Sequence, residues 1–197
     1  MTHPMELFYD FRSPYSYLAF IQLHEMDVEI ALRPMNNLTV IEKVGNVPTT
    51  ITCPAKSRYV RTDLRRWAQR YGIMFNPANM READGDACLR AVLAATSPAE
   101  ASAITLALYR AFWSEGNTLA TIDDVLAALT AAGIDASPVA ERINAPEIVA
   151  RLDANNDEAA ERGVFGSPTV FVGDAMFFGN DRLDFVREEL ARLEQAA

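Results

Sequence analysis

The chain has 197 residues, 50% of them hydrophobic and 23% charged, with a formal net charge of −9; these proportions are typical of a soluble globular protein. The negative charge argues against nucleic acids and anionic membrane surfaces as partners, because both would be repelled. No apolar run approaches the roughly 20 residues of a membrane-spanning helix, and residues 1–6 lack the basic and apolar parts of a secretory signal, so we expect a cytoplasmic protein with no membrane partner.

The cysteines and histidines predict neither a redox motif nor a metal site. Cys53 and Cys88 are too far apart for a CxxC motif, and in a cytosolic protein they are expected to be free thiols. His3 and His24 do not have the spacing of metal ligands. We therefore expect no metal chemistry.

The chain begins with a predicted strand, helix and second strand. Residues 5–10 form an apolar strand, and Ser13-Pro14 starts a helix that runs to about residue 26 because serine is a preferred N-cap and proline suits the first helical position. Residues 28–33 alternate as a second strand, so a parallel pair with a right-handed crossover is predicted. A helix start of this kind can hold an anion, although capping alone is the commoner use of such a serine.

A loop and a series of helices occupy the middle of the chain. Residues 35–56 are rich in asparagine, glycine, proline and threonine and are predicted mainly as loop. Helical periodicity with glycine and proline stops then predicts helices over 57–71, 82–95, 99–115, 121–133, 135–143 and 146–162.

Strand signals return near the C-terminus. Residues 169–172 and 175–178 flank a Gly173-Asp174 turn and predict a hairpin, followed by a helix over 181–195. This order predicts an α/β thioredoxin-like fold with an inserted all-helical domain. Residues 1–40 and 163–197 would form the discontinuous thioredoxin-like domain, and residues 41–162 the insertion.

Two turns near the C-terminus are candidates for ligand contacts. Ser167-Pro168 precedes a strand and is either an ordinary strand-initiating proline or the cis-proline loop of a thioredoxin-like protein, whose backbone pairs with a peptide. The turn at 178–181 is either a normal strand-to-helix connection capped by Asp181 or a site for the amino end of a ligand.

Several motifs together resemble those of the 2-hydroxychromene-2-carboxylate isomerases, which belong with the kappa-class glutathione transferases and the wider DsbA-like group. The segments that occur in the family order are 10–19, 45–46, 56–59, 66–68, 76–79, 165–169 and 178–183. The resemblance spans almost the whole chain.

The resemblance implies a glutathione-dependent isomerase that acts on small aromatic carboxylates from aromatic degradation through reversible thiolate addition, and relatives of this kind are typically homodimers. The alternative is a kappa-class-like glutathione transferase or peroxidase that acts on other electrophiles. The implied catalytic residue is Ser13, which faces the cofactor's sulfur. The implied cofactor-binding residues are Ser13, Ser167, Phe178, Gly179, Asn180 and Asp181, and the implied substrate-binding residues are Asn46, Lys56 and Asn79.

Elementary chemistry constrains the roles of these residues. Ser13 has no evident histidine partner, so we expect it to donate a hydrogen bond to a thiolate rather than to act as a base. Lys56 is either the partner of the substrate carboxylate or a solvated residue at a helix start. Trp67 and Trp113 are interpreted as core residues, because large aromatic side chains on helices usually pack inside.

The chain departs from the family pattern at two positions beside the predicted site. Ser167 stands where valine is common, and Arg12 replaces a commonly apolar residue. The 35–56 segment also differs, so the identity of the substrate is the part of the function that the resemblance constrains least.

A disulfide oxidoreductase is strongly disfavoured, since both CxxC positions are serine, Ser13 and Ser16. A binding protein without catalytic activity remains a third class.

Overall fold

A four-stranded sheet organises the described part of the chain, residues 5–26 and 28–196 of a computed structural model. The strands are β1 (Met5–Tyr9), β2 (Ile30–Pro34), β3 (Thr169–Val172) and β4 (Ala175–Phe178). Their order is β2-β1-β3-β4, with β1 and β2 parallel and the other two pairs antiparallel. The predicted parallel pair and the C-terminal hairpin are confirmed, whereas His3 lies outside the described residues.

Helices cover the sheet and form the middle of the chain. In the described residues they are α1 (Pro14–His24), α2 (Asn37–Lys43), α3 (Thr49–Thr52), α4 (Pro54–Tyr71), α5 (Gly85–Leu93), α6 (Pro98–Tyr109), α7 (Ile122–Ala131), α8 (Ser137–Arg142), α9 (Pro146–Glu161) and α10 (Leu183–Ala196). A π-helical turn, Arg110–Ser114, extends α6, and a 3-10 turn, Asn180–Arg182, precedes α10. The order is that of a thioredoxin-like fold with a helical insertion, and the predicted fold class is confirmed.

The prediction that residues 35–56 are mainly loop is wrong. The side chain of Asn36 caps α2 by accepting a hydrogen bond from the Thr39 amide at 3.1 Å, and Val40 of that helix is buried. Pro54 occupies the first turn of α4, where a proline is tolerated. The residues that predicted loop therefore act mostly as helix ends.

Side chains of β1 alternate between two apolar clusters on opposite faces of the sheet. Met5, Leu7 and Tyr9 join the larger cluster, and Phe8 packs with Phe171 in the smaller one. Because β1 is central in the sheet and buried on both faces, the residues that follow it are held in a fixed position.

Glu6 is the charged exception on β1. Its side chain is 15% exposed and forms ion pairs with Arg33 at 2.8 Å and Arg162 at 2.9 Å, while the Arg162 guanidinium lies over the Phe171 ring. Although burial alone would raise it, the hydrogen bonds from Arg162 and Arg33 hold the pKa of Glu6 below its ordinary value. Folding therefore favours the ionised carboxylate.

No helix in the part of the chain that the structure describes is long and apolar enough to cross a membrane. Residues 5–26 and 28–196 also contain no group of three or more His, Cys, Asp or Glu side chains arranged to hold a metal ion. Cys53 and Cys88 are free thiols, as predicted.

Glu6→Gln is expected to lower the stability of the fold at neutral pH but not in acid. A lowered folded-state pKa stabilises the protein above the unfolded pKa of about 4.5, and that stabilisation is lost as the pH falls through the folded value. The loss of charge-assisted hydrogen bonds costs about 1 kcal/mol, or about 2–4 °C in Tm for a chain of this length. Thermal unfolding from pH 7 to pH 3 tests this.

Glu42→Gln is the matched control for this experiment, because Glu42 is exposed and undergoes the same change of charge. We expect it to leave Tm unchanged. An equal loss of Tm in Glu6→Gln at pH 3 and pH 7 would contradict the assignment.

Candidate functional site

One row of backbone pairs across the sheet brings the predicted segments together. Phe8 at the end of β1 pairs with Thr169 of β3, and Thr169 pairs with Phe178 of β4. Because β3 runs antiparallel to both neighbours, the C-terminal ends of β1 and β4 lie at the same end of the sheet as the N-terminal end of β3. The loops that carry Ser13 and Ser167 therefore meet at this end of the sheet.

Ser13 links the start of α1 to the loop before β3. Its Oγ accepts a hydrogen bond from the Ser16 amide at 3.2 Å and donates one to the Ser167 carbonyl, also at 3.2 Å. The Ser167-Pro168 peptide bond is cis, which decides between the two alternatives that the sequence left open. The Tyr15 amide, in the same first turn, donates to none of the described residues. The site thus has a hydroxyl, an open amide and a positive helix end at one point.

The turn after β4 needs glycine at position 179. The Gly179 amide donates to the Pro168 carbonyl at 2.9 Å, which ties this turn to the loop before β3. Gly179 has a φ of +100°, a conformation that side chains strongly disfavour. A Cβ atom there would also lie 2.6 Å from Oδ1 of Asp181. The glycine therefore permits both the turn and the placement of the Asp181 carboxylate.

Helix α4 braces the same turn from the other side. Asn180 is only 4% exposed, and its carbonyl accepts a hydrogen bond from the Tyr71 hydroxyl at 3.1 Å. Phe178 and Asp181, on either side, are exposed and line the space in front of Ser13. The backbone of this turn and the Asp181 carboxylate are therefore held in place at the wall of the cleft in front of Ser13.

These elements surround a cleft of about 1620 Å³, which is larger than the roughly 300–1,000 Å³ of a typical small-molecule site. Its polar end contains Ser13, Ser167 and Asp181. The remaining lining combines apolar side chains, such as Leu38, Ile41, Phe75 and Met80, with polar and charged ones that include Asp63, Arg61, Arg65 and Arg81. The cleft has room for a peptide-like ligand beside an aromatic one.

The residues predicted on the substrate side divide into two groups. Asn46 and Asn79 line the cleft, where the Asn46 amide group donates to the Phe165 carbonyl at 2.8 Å. The Asn79 amide group donates to Glu82 Oε1 at 2.6 Å. Lys56 is not among the lining residues, and its Nζ donates to Thr49 Oγ1 at 3.0 Å on the exposed surface. The structure does not bring Lys56 to Ser13.

The two tryptophans differ from each other. Trp113 is 3% exposed, stacks on Phe75, and donates its Nε1–H to the Phe11 carbonyl at 3.0 Å, so its prediction as a core residue is confirmed. Trp67 is half-buried and lines the cleft. Its assignment to the core was wrong, because α4 borders the cleft instead of packing wholly inside.

Tyr15 and Asp63 are site residues that sequence reasoning missed. The Tyr15 hydroxyl donates to Asp63 Oδ2 at 2.8 Å, and the Tyr59 hydroxyl donates to the other oxygen at 3.2 Å. Burial and the Asp63 carboxylate raise the pKa of Tyr15, which stays a neutral phenol. The Tyr59–Asp63 spacing on one helix was a signal, but its proximity to Tyr15 depends on how α4 packs.

The floor of the cleft beside Ser13 contains an ion pair between a buried carboxylate, Asp10, and a partly exposed arginine, Arg12. Asp10 is 2% exposed and accepts hydrogen bonds from the Arg12 amide at 2.8 Å and from the Asn37 amide at 2.9 Å. It also accepts from Arg12 Nε at 3.3 Å and Nη2 at 3.2 Å. Although burial alone would lower it, Asp10 raises the pKa of Arg12. A permanent cation therefore lies at the floor in a protein of net charge −9.

Comparison with known proteins agrees with this geometry. A family model described as a DSBA-like thioredoxin domain matches residues 5–191. A 2-hydroxychromene-2-carboxylate isomerase of Pseudomonas putida is 33% identical over 197 residues, which cover 96% of this chain and 95% of that protein.

Two further similarities extend the comparison. The solved structure of a 2-hydroxychromene-2-carboxylate isomerase has a TM-score of 0.87 and 30% identity, over 98% of this chain and 97% of that one. Glutathione S-transferase kappa 1 of Homo sapiens is 28% identical over 204 residues, which cover 94% of this chain and 90% of that protein.

Proposed function

The chain belongs to the DsbA-like thioredoxin family and, within it, to the 2-hydroxychromene-2-carboxylate isomerase family, and from this membership we propose that it is a glutathione-dependent isomerase of small aromatic carboxylates. The observation that carries the proposal is the Ser13 hydroxyl, which lies at the positive end of α1 and 3.2 Å from the Ser167 carbonyl.

The groups at the polar end of the cleft fit a tripeptide thiol such as glutathione. Ser167 contributes backbone groups and an Oγ that is buried without a partner among the described residues. Asp63 and Asp181 provide carboxylates that suit an α-ammonium group. Phe178, Gly179 and Asn180 form the turn that presents Asp181.

Ser13 has one proton to donate, and in this structure the Ser167 carbonyl receives it. When the hydroxyl turns toward the cleft, that carbonyl becomes free to accept an amide N–H from a peptide ligand. The hydroxyl, the Tyr15 amide and the helix end can then stabilise a thiolate together. Among the described residues Ser13 has no histidine partner, because His24 lies at the far end of α1 and pairs with Ser102; its expected role is therefore that of a donor.

Bound glutathione would supply a thiolate, the nucleophile that reversible addition to a conjugated carbon and rotation about its bond require. The chain's own contribution is to ionise the thiol, aim it, and hold an aromatic partner against apolar walls such as Phe75 and Met80. Removal of water from these walls strengthens the electrostatic stabilisation at Ser13.

A kappa-class-like transferase or peroxidase is the second candidate, favoured by the similarity to glutathione S-transferase kappa 1. The deciding experiment mixes the protein with 2-hydroxychromene-2-carboxylate, with and without glutathione, and follows the absorbance change. We expect interconversion only with glutathione. Absence of interconversion together with conjugation of a generic electrophile would favour the transferase.

The two-domain division at residues 1–40 and 163–197 against 41–162 stays a prediction. So do a cytoplasmic location and a homodimer, which rest on composition and on the family resemblance.

Ser13→Ala is expected to reduce isomerase turnover by about 10- to 100-fold, because one hydrogen bond to a charged group is lost. Ser16→Ala is the matched control, since Ser16 lies in the same first turn and its buried Oγ has no partner in the described chain. Steady-state kinetics with circular dichroism spectra of both variants provide the test. Unchanged turnover in Ser13→Ala would remove Ser13 from the mechanism.

Gly179→Ala is expected to weaken glutathione binding by about tenfold, since a strained backbone costs roughly 1–3 kcal/mol and the new Cβ displaces Asp181. Gly173→Ala is the control: it also has a positive φ, of +58°, but it lies in the hairpin turn with open space around it. Calorimetric titration with glutathione measures both variants. Equal affinities of Gly179→Ala and the parent protein would contradict the role of this turn.

A further inference from the structure

Arg12 is the cation nearest Ser13 in the chain, and its side chain is 27% exposed at the cleft floor. Lys56, which the family resemblance implies as a substrate-binding residue, is not among the lining residues, and its Nζ donates to Oγ1 of Thr49, which does line the cleft. Arg61, Arg65 and Arg81 also line the cleft, but of the lining arginines only Arg12 adjoins Ser13 in the chain, which makes it the first candidate partner of a carboxylate held beside Ser13.

The guanidinium of Arg12 is held in one place. Asp10 binds Nε and Nη2 from one side. On another side lies Gly85, where an added Cβ would stand 2.3 Å from Arg12 Nε. Gly85 has no positive φ, so this position requires glycine for the space that Arg12 fills and not for its backbone conformation.

Part of the guanidinium remains available to a ligand. Nη1 donates to none of the described residues, and the contact of Nη2 with Asp86 Oδ1 is long, at 3.5 Å. Asp86 is itself 49% exposed and accepts a shorter hydrogen bond, 2.7 Å, from Asn36. An arginine anchored on one edge and open on the other is suited to bind a carboxylate.

We propose that Arg12 binds the carboxylate of the second substrate and gives this cleft a preference for conjugated aromatic acids over neutral electrophiles. Apolar side chains that include Phe75 and Met80 line the same cleft and suit the ring. This inference rests on the proposed function, because it assigns a specificity residue to the same site.

The first test measures binding with two probes that differ only at the acid group, trans-cinnamate and trans-cinnamamide, in the presence of glutathione. The parent protein is expected to bind the carboxylate about tenfold more tightly, as a charge-assisted hydrogen bond provides. Arg12→Gln is expected to abolish this preference, because it weakens the binding of cinnamate and leaves that of cinnamamide unchanged. Arg58→Gln, which removes an exposed arginine outside the lining, leaves both affinities unchanged.

Two further variants keep the Arg12 side chain, so that Asp10 still has a cation beside it, and the test does not depend on whether Arg12→Gln folds with its buried partner uncompensated. Gly85→Ala displaces the Arg12 guanidinium, and we expect it to weaken the binding of cinnamate without changing the affinity for cinnamamide. Asp86→Asn removes a carboxylate that competes for the Arg12 guanidinium, and we expect it to strengthen the binding of cinnamate by a few fold. A purely structural role for Arg12 predicts neither change of preference.

The proposal is overturned if Arg12→Gln or Gly85→Ala changes both affinities equally, if neither variant changes them, or if Asp86→Asn weakens cinnamate. Binding of the probes needs no turnover. An Arg12-dependent preference in a protein without isomerase activity would therefore support this inference and refute the proposed function, and isomerase activity without that preference would do the reverse.

Discussion

A single proton on Ser13 is the constraint on which the site depends. The Ser13 Oγ caps α1 by accepting a hydrogen bond from the Ser16 amide. The same hydroxyl donates its one proton to the Ser167 carbonyl across the cleft. One hydroxyl proton cannot serve that carbonyl and a thiolate at the same time. In the function proposed for this chain, occupation of the cis-proline loop by a peptide ligand and release of the hydroxyl toward sulfur are therefore one exchange of hydrogen bonds, in which a helix cap would take part in the chemistry.

The second constraint is the buried carboxylate of Asp10. It directly follows the central strand β1, accepts the Asn37 amide at the start of α2, and anchors Arg12. The same residue thus fixes the floor of the cleft and the helix that borders it. This arrangement explains how an acidic protein can keep the Arg12 cation beside Ser13. The counter-ion, the Asp10 carboxylate, is buried below the cleft floor, and both of its oxygens already accept hydrogen bonds from Arg12 and the Asn37 amide.

The sequence predicts those parts of the fold in which local pattern decides the structure. Strands 169–172 and 175–178 have the predicted bounds, because alternation and a Gly-Asp turn are local signals. Side-chain direction on helices that border the cleft is decided by tertiary packing, which no local pattern contains. For that reason the sequence could not decide between a substrate contact and a surface position for Lys56, Trp67 was assigned to the core, and the contact of Asp63 with Tyr15 was missed.

The most direct measurement is the thiol pKa of bound glutathione, obtained from the ultraviolet absorbance of the thiolate as a function of pH. We expect a value at least about one unit below the roughly 8.5 of a free thiol, and a return toward that value in Ser13→Ala. The same pKa in the bound and free cofactor would contradict the central claim that the Ser13 hydroxyl stabilises the sulfur as an anion.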